Sequence, residues 1–119
     1  MKLKPVFWIK SSKDDLCEFP TEVVQQIGYT LYFAQIGEKH LSAKPLKGFG
    51  GAGVLEVVED FDGDTYRAVY TVKFAGSVYV LHAFQKKSKT GSKTPKQTID
   101  LIKERLKLAE ADHQKRKSK

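Results

Sequence analysis

Three β-type segments that follow one another closely constrain the fold of this chain more than any other feature. They span residues 54–59, 65–74 and 78–85, and the pairs Asp62-Gly63 and Ala75-Gly76 separate them. Short connections that contain glycine are typical of hairpins between antiparallel strands. The segments therefore predict a three-stranded antiparallel meander.

The middle segment is predicted to divide its side chains between two faces, because neighbouring residues of a strand point to opposite sides of a sheet. Arg67 and Lys73 share one face. The other face takes the mostly aromatic set Tyr66, Ala68, Tyr70, Val72 and Phe74. A turn near residues 75–76 puts residues 84–86 opposite Arg67, so Arg67 and Lys86 are predicted to be cross-strand neighbours.

Two helical patterns and one short strand complete the arrangement. Apolar residues recur every three or four positions in 19–37 and in 94–109, as they do along one side of a helix. The second helix also has a capping box in Thr94-Pro95-Lys96-Gln97. With a strand over 6–9, the order is β-α-βββ-α. We expect an α+β domain with a small, curved, mostly antiparallel sheet and helices packed on one face.

Charge is distributed unevenly along the 119 residues. The chain carries 21 Lys and Arg against 14 Asp and Glu, and residues 86–119 hold 12 of the basic and 4 of the acidic side chains. Such a basic block favours a polyanionic partner, most often nucleic acid. A purely solubilising tail is the alternative. We expect one domain over residues 1–112 and a basic, disordered tail over 113–119.

Several kinds of protein and site are not expected. No apolar run approaches the roughly 20 residues that span a bilayer, so no membrane partner is predicted. Cys17 is the single cysteine, which excludes an internal disulfide and suits a reducing cytoplasm. The three histidines are scattered, so no metal site is predicted. His82, on a strand among apolar residues, is more typical of a packed, hydrogen-bonded histidine than of a catalytic one, but it is expected to titrate near neutrality, as a role in proton transfer requires.

The strongest chemical signal is cationic. Arg67, Lys86 and Lys87 are expected near one another, with Lys44 or Lys47 from the loop before the meander. Clustered Lys and Arg side chains bind phosphate and stabilise the extra charge of a phosphorane-like transition state. Cleavage of RNA through its own 2′-hydroxyl then needs positioning and proton transfer but no metal. A solvated basic edge that discourages sheet-to-sheet aggregation is the alternative.

Five short runs carry a family resemblance through their order and spacing. They are Pro45-Leu46-Lys47-Gly48, Gly53-Val54-Leu55-Glu56, Thr65-Tyr66-Arg67-Ala68-Val69-Tyr70, Val80-Leu81-His82-Ala83-Phe84-Gln85-Lys86-Lys87 and Lys93-Thr94-Pro95. Over about residues 5–110 the chain resembles the RelE/ParE toxin superfamily, and it looks most like the phage-derived, HigB-like branch.

The resemblance implies a RelE-like fold and the toxin of a type II toxin–antitoxin system, in this branch usually a ribosome-dependent endoribonuclease that cuts mRNA. It also implies no cofactor, a cytoplasmic location and a hetero-oligomer with a small helix-turn-helix antitoxin encoded nearby. Arg67 matches the central-strand arginine that contacts the scissile phosphate. Lys86 and Lys87 match a basic pair near the end of the last strand, and Lys47 matches a loop lysine.

One departure from the superfamily pattern lies on the first meander strand. Many members have Glu-Leu-Arg there, whereas this chain has Glu56-Val57-Val58, so an apolar residue stands where a second basic one is expected. His82 is the candidate for part of the missing role. The predicted catalytic residues are Arg67, Lys86, Lys87 and His82. The predicted RNA-binding residues are Lys44, Lys47, Lys73, Lys89 and Lys93.

The sequence is also compatible with two other functions. One is a ParE-like toxin that inhibits DNA gyrase and has no nuclease activity. The other is a basic module that binds RNA or the ribosome without toxicity. Induced expression separates the three hypotheses, because they predict loss of translation, a DNA-damage response and no growth effect, respectively.

Overall fold

The computed structural model of the chain describes residues 2–50, 53–86 and 94–118. It contains five strands and three helices in these parts of the chain. In chain order the elements are β1 (Val6–Trp8), α1 (Ser12–Cys17), α2 (Thr21–Gln35), β2 (Ala43–Pro45), β3 (Val54–Phe61), β4 (Asp64–Thr71), β5 (Val78–Lys86) and α3 (Lys96–Lys117).

The strands form one sheet in the order β1-β5-β4-β3-β2. β1 pairs with β5 in parallel, and the other three pairs are antiparallel. The predicted α+β class, the mostly antiparallel sheet and the β3-β4-β5 meander are confirmed. Asp62 and Gly63 join β3 to β4 with φ angles of 53° and 83°, the positive values that a tight two-residue hairpin turn requires.

Apolar side chains cover both faces of this sheet. On the α2 face, Ile27 of α2 packs in one core cluster with Tyr70 of β4. On the opposite face, which we call the α3 face, Ile102 of α3 packs in a second cluster with Val69 and Leu81. The prediction that the helices pack on one face is therefore wrong. The reason is that the central strands carry apolar side chains on both faces of the sheet, and both sets must be buried against a helix.

The register of β4 and β5 places the predicted cationic residues. Arg67 lies directly opposite Phe84, within the predicted range, and Lys86 lies opposite Thr65. Arg67 and Lys86 are therefore diagonal neighbours on the α3 face and not a directly opposed pair.

A bulge in β5 changes the side of the sheet on which His82 lies. Val69 pairs with His82 but Tyr70 pairs with Val80, so Leu81 is an extra residue without a direct partner on β4. A bulge of this kind re-aims the side chains that follow it. Strict alternation would put His82 on the α2 face with Val80, whereas the bulge puts Leu81 and His82 together on the α3 face.

The C-terminal helix is longer than predicted. The sequence predicts a disordered tail over residues 113–119, whereas α3 continues through most of that segment. Asp112 accepts hydrogen bonds from the Tyr79 hydroxyl and from Arg116 Nε, both at 2.7 Å. The Arg116 guanidinium also lies over the Phe7 ring of β1, 3.7 Å from its centroid. These contacts attach the last turns of α3 to β1 and β5.

The other long helix, α2, follows its predicted pattern. Its buried side is formed by Val23, Ile27, Thr30, Leu31 and Ala34. Gly37 follows it with a φ of 85°, a left-handed conformation that glycine adopts without strain. Within the described parts of the chain, no helix combines the length and the apolar character needed to cross a bilayer.

Candidate functional site

The α3 face carries four of the six predicted site residues that the structure describes, in three rows that run across the strands. The first row holds Lys44, Glu56, Val69 and His82, the second Val58, Arg67 and Phe84, and the third Asp60, Thr65 and Lys86. Neighbouring strands lie about 4.8 Å apart, and alternate residues of one strand about 7 Å apart. Side chains from adjacent rows can therefore contact one short stretch of a substrate.

Arg67 and Glu56 form a buried ion pair at the centre of these rows. Their side chains are 5% and 13% exposed, and Arg67 Nη1 donates to both carboxylate oxygens at 3.3 Å. Thr94, shortly before α3, accepts a hydrogen bond from the same Nη1 at 3.3 Å and donates its hydroxyl to Glu56 Oε2 at 2.9 Å. The capping-box prediction for Thr94 is wrong, because its hydroxyl is used here and α3 begins without a side-chain cap.

His82 lies at the end of the first row and contacts α3. Arg105 Nη1 lies 3.2 Å from His82 Nδ1 and donates to the Leu81 carbonyl oxygen at 3.0 Å. The imidazole stacks on Phe84, with ring centroids 4.9 Å apart. Burial, together with the charge of Arg105, lowers the pKa of His82 to about 4, while Asp15 of α1 acts in the opposite direction. The expectation that His82 titrates near neutrality is wrong, because burial disfavours the charged ring.

Two of the predicted lysines lie beside this centre. Lys44, on the edge strand β2, is exposed and directly opposite Glu56. Lys86 is half-buried at the end of β5, in the row next to Arg67. The α3 face thus brings together two of the predicted catalytic cations and one predicted RNA-binding lysine.

The remaining lysines are placed elsewhere or are not described. Lys47 is exposed in the turn after β2. Lys73 is exposed beyond the end of β4, where its Nζ lies 5.7 Å from the centroid of the Phe74 ring. Lys73 follows Thr71, and this end of β4 is farther from the third row, which crosses β4 at Thr65. Three predicted site residues, Lys87, Lys89 and Lys93, lie outside the described residues.

The chemistry available on the α3 face is that of acid–base groups and fixed positive charges. A carboxylate such as Glu56 can accept a proton, and the planar guanidinium of Arg67 matches the geometry of phosphate oxygens. An uncharged His82 offers one N–H donor and one lone pair. Among the described residues, no group of three or more His, Cys, Asp or Glu side chains is arranged to hold a metal ion.

Glu56, Thr94 and Arg105 are site residues that sequence reasoning missed. For Glu56 a signal exists, because the two-residue turn at 62–63 fixes the register and puts Glu56 on the same face as Arg67. Arg105 has no comparable signal. The spacing of residues within a helix does not predict which strand residue a partly buried side chain of that helix contacts.

Comparison with known protein families identifies the chain. The family model described as phage-derived protein Gp49-like (DUF891) matches residues 14–107, which is most of the chain. The chain belongs to the Gp49-like family. The phage-derived origin expected from the sequence is confirmed, and the matched region includes all three rows, Thr94 and Arg105.

No curated protein matches this Gp49-like chain. Among solved structures, it is similar to a chain in the crystal structure of the toxin–antitoxin complex RelBE2 from Mycobacterium tuberculosis, with 20% sequence identity and a TM-score of 0.45. That similarity covers 74% of this chain and 97% of the other.

Proposed function

We propose that this Gp49-like protein is the toxin of a type II toxin–antitoxin system and that it acts as a ribosome-dependent mRNA endoribonuclease. The observation that carries the proposal is the ion pair of Glu56 and Arg67 on the α3 face, with His82 in the same row as Glu56. Cleavage by the 2′-hydroxyl needs a base, a positive charge at the phosphate and a hydrogen-bond donor. The α3 face offers one residue of each kind. The resemblance to the RelE/ParE superfamily supports the same function.

Each residue has a separate part in the proposed reaction. Glu56 takes the proton of the 2′-hydroxyl, the 2′-oxygen attacks phosphorus, and the bond to the 5′-oxygen breaks. Arg67 neutralises the negative charge that builds up on the phosphate. Because the pKa of His82 is about 4, its ring is uncharged at neutral pH and contributes a hydrogen bond. The leaving oxygen takes its proton from water.

Substrate must first gain access to Arg67, which is only 4% exposed. We propose that a phosphate takes the place of the Thr94 hydroxyl at Arg67 Nη1, which also releases one hydrogen bond to Glu56. Lys44 and Lys86 then contact flanking phosphates. The same role is proposed for the other predicted lysines, Lys47, Lys73, Lys87, Lys89 and Lys93. A site that opens only to a positioned strand is consistent with cleavage on the ribosome.

The proposed partners are the ribosome, mRNA and a small helix-turn-helix antitoxin encoded nearby. The toxin is proposed to act in the cytoplasm and to form a hetero-oligomer with that antitoxin. An adjacent reading frame for a short helix-turn-helix protein supports this part of the proposal. Co-purification of the two proteins from one operon is the direct measurement.

Induced expression without an antitoxin tests the catalytic proposal. The wild type should arrest growth and cleave mRNA at positions that primer extension detects. Arg67→Ala and Glu56→Gln should each reduce cleavage at least about 100-fold, because each removes a group that acts in the chemical step. Glu59→Gln, on the same strand but the opposite face, is the matched control and should remain toxic. Wild-type toxicity of Arg67→Ala would overturn the assignment.

Stability is measured alongside, because these residues form a buried ion pair. Removal of one partner of such a pair costs about 3 kcal/mol when the other charge stays buried. The double variant Glu56→Gln/Arg67→Met removes both charges and should recover much of that loss. It should nevertheless stay non-toxic, which separates a catalytic role of the pair from a purely structural one.

The same expression experiment separates the alternatives. A DNA-damage response with continued translation would favour a ParE-like gyrase inhibitor. Absence of any growth effect would favour a basic RNA- or ribosome-binding module.

A further inference from the structure

We infer that Arg105 of α3 is a positioning residue for His82 and fixes the neutral imidazole as the tautomer that carries its proton on Nε2. The inference deepens the proposed function and rests on it for its link to RNA cleavage. Its structural part stands on contacts between α3 and β5 alone.

The contact of Arg105 with the imidazole determines the tautomer. The guanidinium lies 3.2 Å from His82 Nδ1 and has only N–H donors to offer. Nδ1 therefore accepts, and the proton of the neutral ring is on Nε2. An imidazole in this form presents a donor at Nε2, which suits a hydrogen bond to a phosphate oxygen.

The bulge in β5 holds Arg105 in position for this contact. Leu81 is the extra residue of the bulge, and its carbonyl oxygen accepts a hydrogen bond from Arg105 Nη1 at 3.0 Å. One guanidinium nitrogen thus contacts both the backbone of the bulge and the ring of the next residue. The bulge turns His82 toward α3, and Arg105 then fixes the state of its ring.

The charged groups around His82 keep the ring neutral. Arg105 from α3 opposes protonation, Asp15 from α1 favours it, and burial has the largest effect. Glu56 occupies the same row two strands away, with Val69 between them. Arg105 is itself partly buried, and burial lowers its pKa while Asp15 raises it. At pH 7 the net result is a neutral donor at His82 and a cation beside it.

The test is long-range ¹H–¹⁵N NMR of the imidazole nitrogens in the full chain, because it needs no RNA substrate. The wild type should show His82 with its proton on Nε2 and no titration near pH 6.5. In Arg105→Gln the ring should become a mixture of tautomers, and the pKa of His82 should rise but stay below 6.5, because burial, the larger cause of its lowering, remains. Lys103→Gln removes the same charge from an exposed position of α3 and should leave the His82 signals unchanged.

Arg105→Lys keeps the charge and one donor, so it should retain most of the wild-type tautomer. If Arg105→Gln unfolds the protein, the Lys variant and the wild-type spectrum still test the inference. A proton on Nδ1 in the wild type, or a tautomer that Arg105→Gln does not change, would overturn it.

Cleavage assays complete the test. Arg105→Gln should lower kcat for mRNA cleavage on ribosomes about tenfold with little change in KM, because the ring is misoriented but the phosphate contacts remain. Unchanged kcat in a variant whose tautomer has changed would overturn the positioning role. If the proposed function is wrong, the wild type itself will cleave no RNA, although NMR will still show the proton of His82 on Nε2.

Discussion

Apolar packing covers both faces of the sheet, but the buried ion pair of Arg67 and Glu56 lies on the α3 face. On the α2 face, the hydroxyl of Tyr70 is buried and has no hydrogen-bond partner among the described residues. On the α3 face, Tyr79 donates its hydroxyl to Asp112, and Arg67 contacts both Glu56 and Thr94. The α2 face thus contributes mainly apolar packing. The α3 face combines apolar packing with an ion pair and side-chain hydrogen bonds.

This difference has a physical basis. Apolar packing depends on volume and is not directional, so variants of the α2 face are expected to act mainly through its large buried side chains. Hydrogen bonds and ion pairs depend on direction, and a buried one is costly to break. Variants on the two faces should therefore affect different properties of the protein.

The largest effect on stability is expected from Ile27→Ala on the α2 face. Ile27 is fully buried, and truncation leaves a cavity under the sheet. The free energy of unfolding should fall by about 3 to 4 kcal/mol, measured by chemical denaturation. Gln25→Ala, at an exposed position of the same helix, should stay within about 0.5 kcal/mol of the wild type. A loss below about 1 kcal/mol for Ile27→Ala would contradict the role given to the α2 face.

An intermediate effect is expected from pH on the α3 face. The pKa of His82 is lowered from 6.5 to about 4 in the folded protein, so the unfolded chain binds the proton more tightly. Because protons then favour the unfolded chain, the free energy of unfolding has its full value above about pH 6.5 and decreases as the pH falls toward 4. Partial exposure of the ring limits the loss to about 1 to 2 kcal/mol.

Chemical denaturation of the wild type and of His82→Gln across this pH range measures the effect. The difference between their unfolding free energies should change between pH 6.5 and 4, because the variant has no titrating ring at this position. Parallel curves for the two proteins would contradict the buried, neutral state of His82.

The smallest effect comes from the two tyrosines, which are a matched pair on opposite faces. Tyr79→Phe removes the hydrogen bond to Asp112 and should cost about 1 kcal/mol. Tyr70→Phe removes a buried hydroxyl without a partner among the described residues, so stability should stay the same or rise slightly. Thermal unfolding of both variants gives the comparison. Equal losses would mean that the faces do not differ in the way proposed.

Much of the fold could be predicted because its signals are local. The meander follows from the turn residues at 62–63 and 75–76, and α2 follows from its apolar spacing. The side of the sheet on which each helix packs could not be predicted in this way. It depends on central strands that are apolar on both sides, so that one helix is needed on each face.

The candidate site was predicted only in part. Arg67 and Lys86 could be placed on one face from strand alternation. Strand alternation and the turn at 62–63 also put Glu56 on this face, but they do not predict its ion pair with Arg67, which depends on how both side chains pack with Thr94. The state of His82 was predicted incorrectly, since burial and the charge of Arg105 come from elements distant in sequence.

The sequence by itself determined the meander, the amphipathic α2, the basic C-terminal third and the match to the Gp49-like family. These features depend on residues that are close together in the chain. Only the tertiary structure decided that α3 covers the second face, that a bulge turns His82 toward it, and that Thr94 and Arg105 complete the site. Such contacts join residues far apart in sequence, and their geometry exists only once the helix has docked on the sheet.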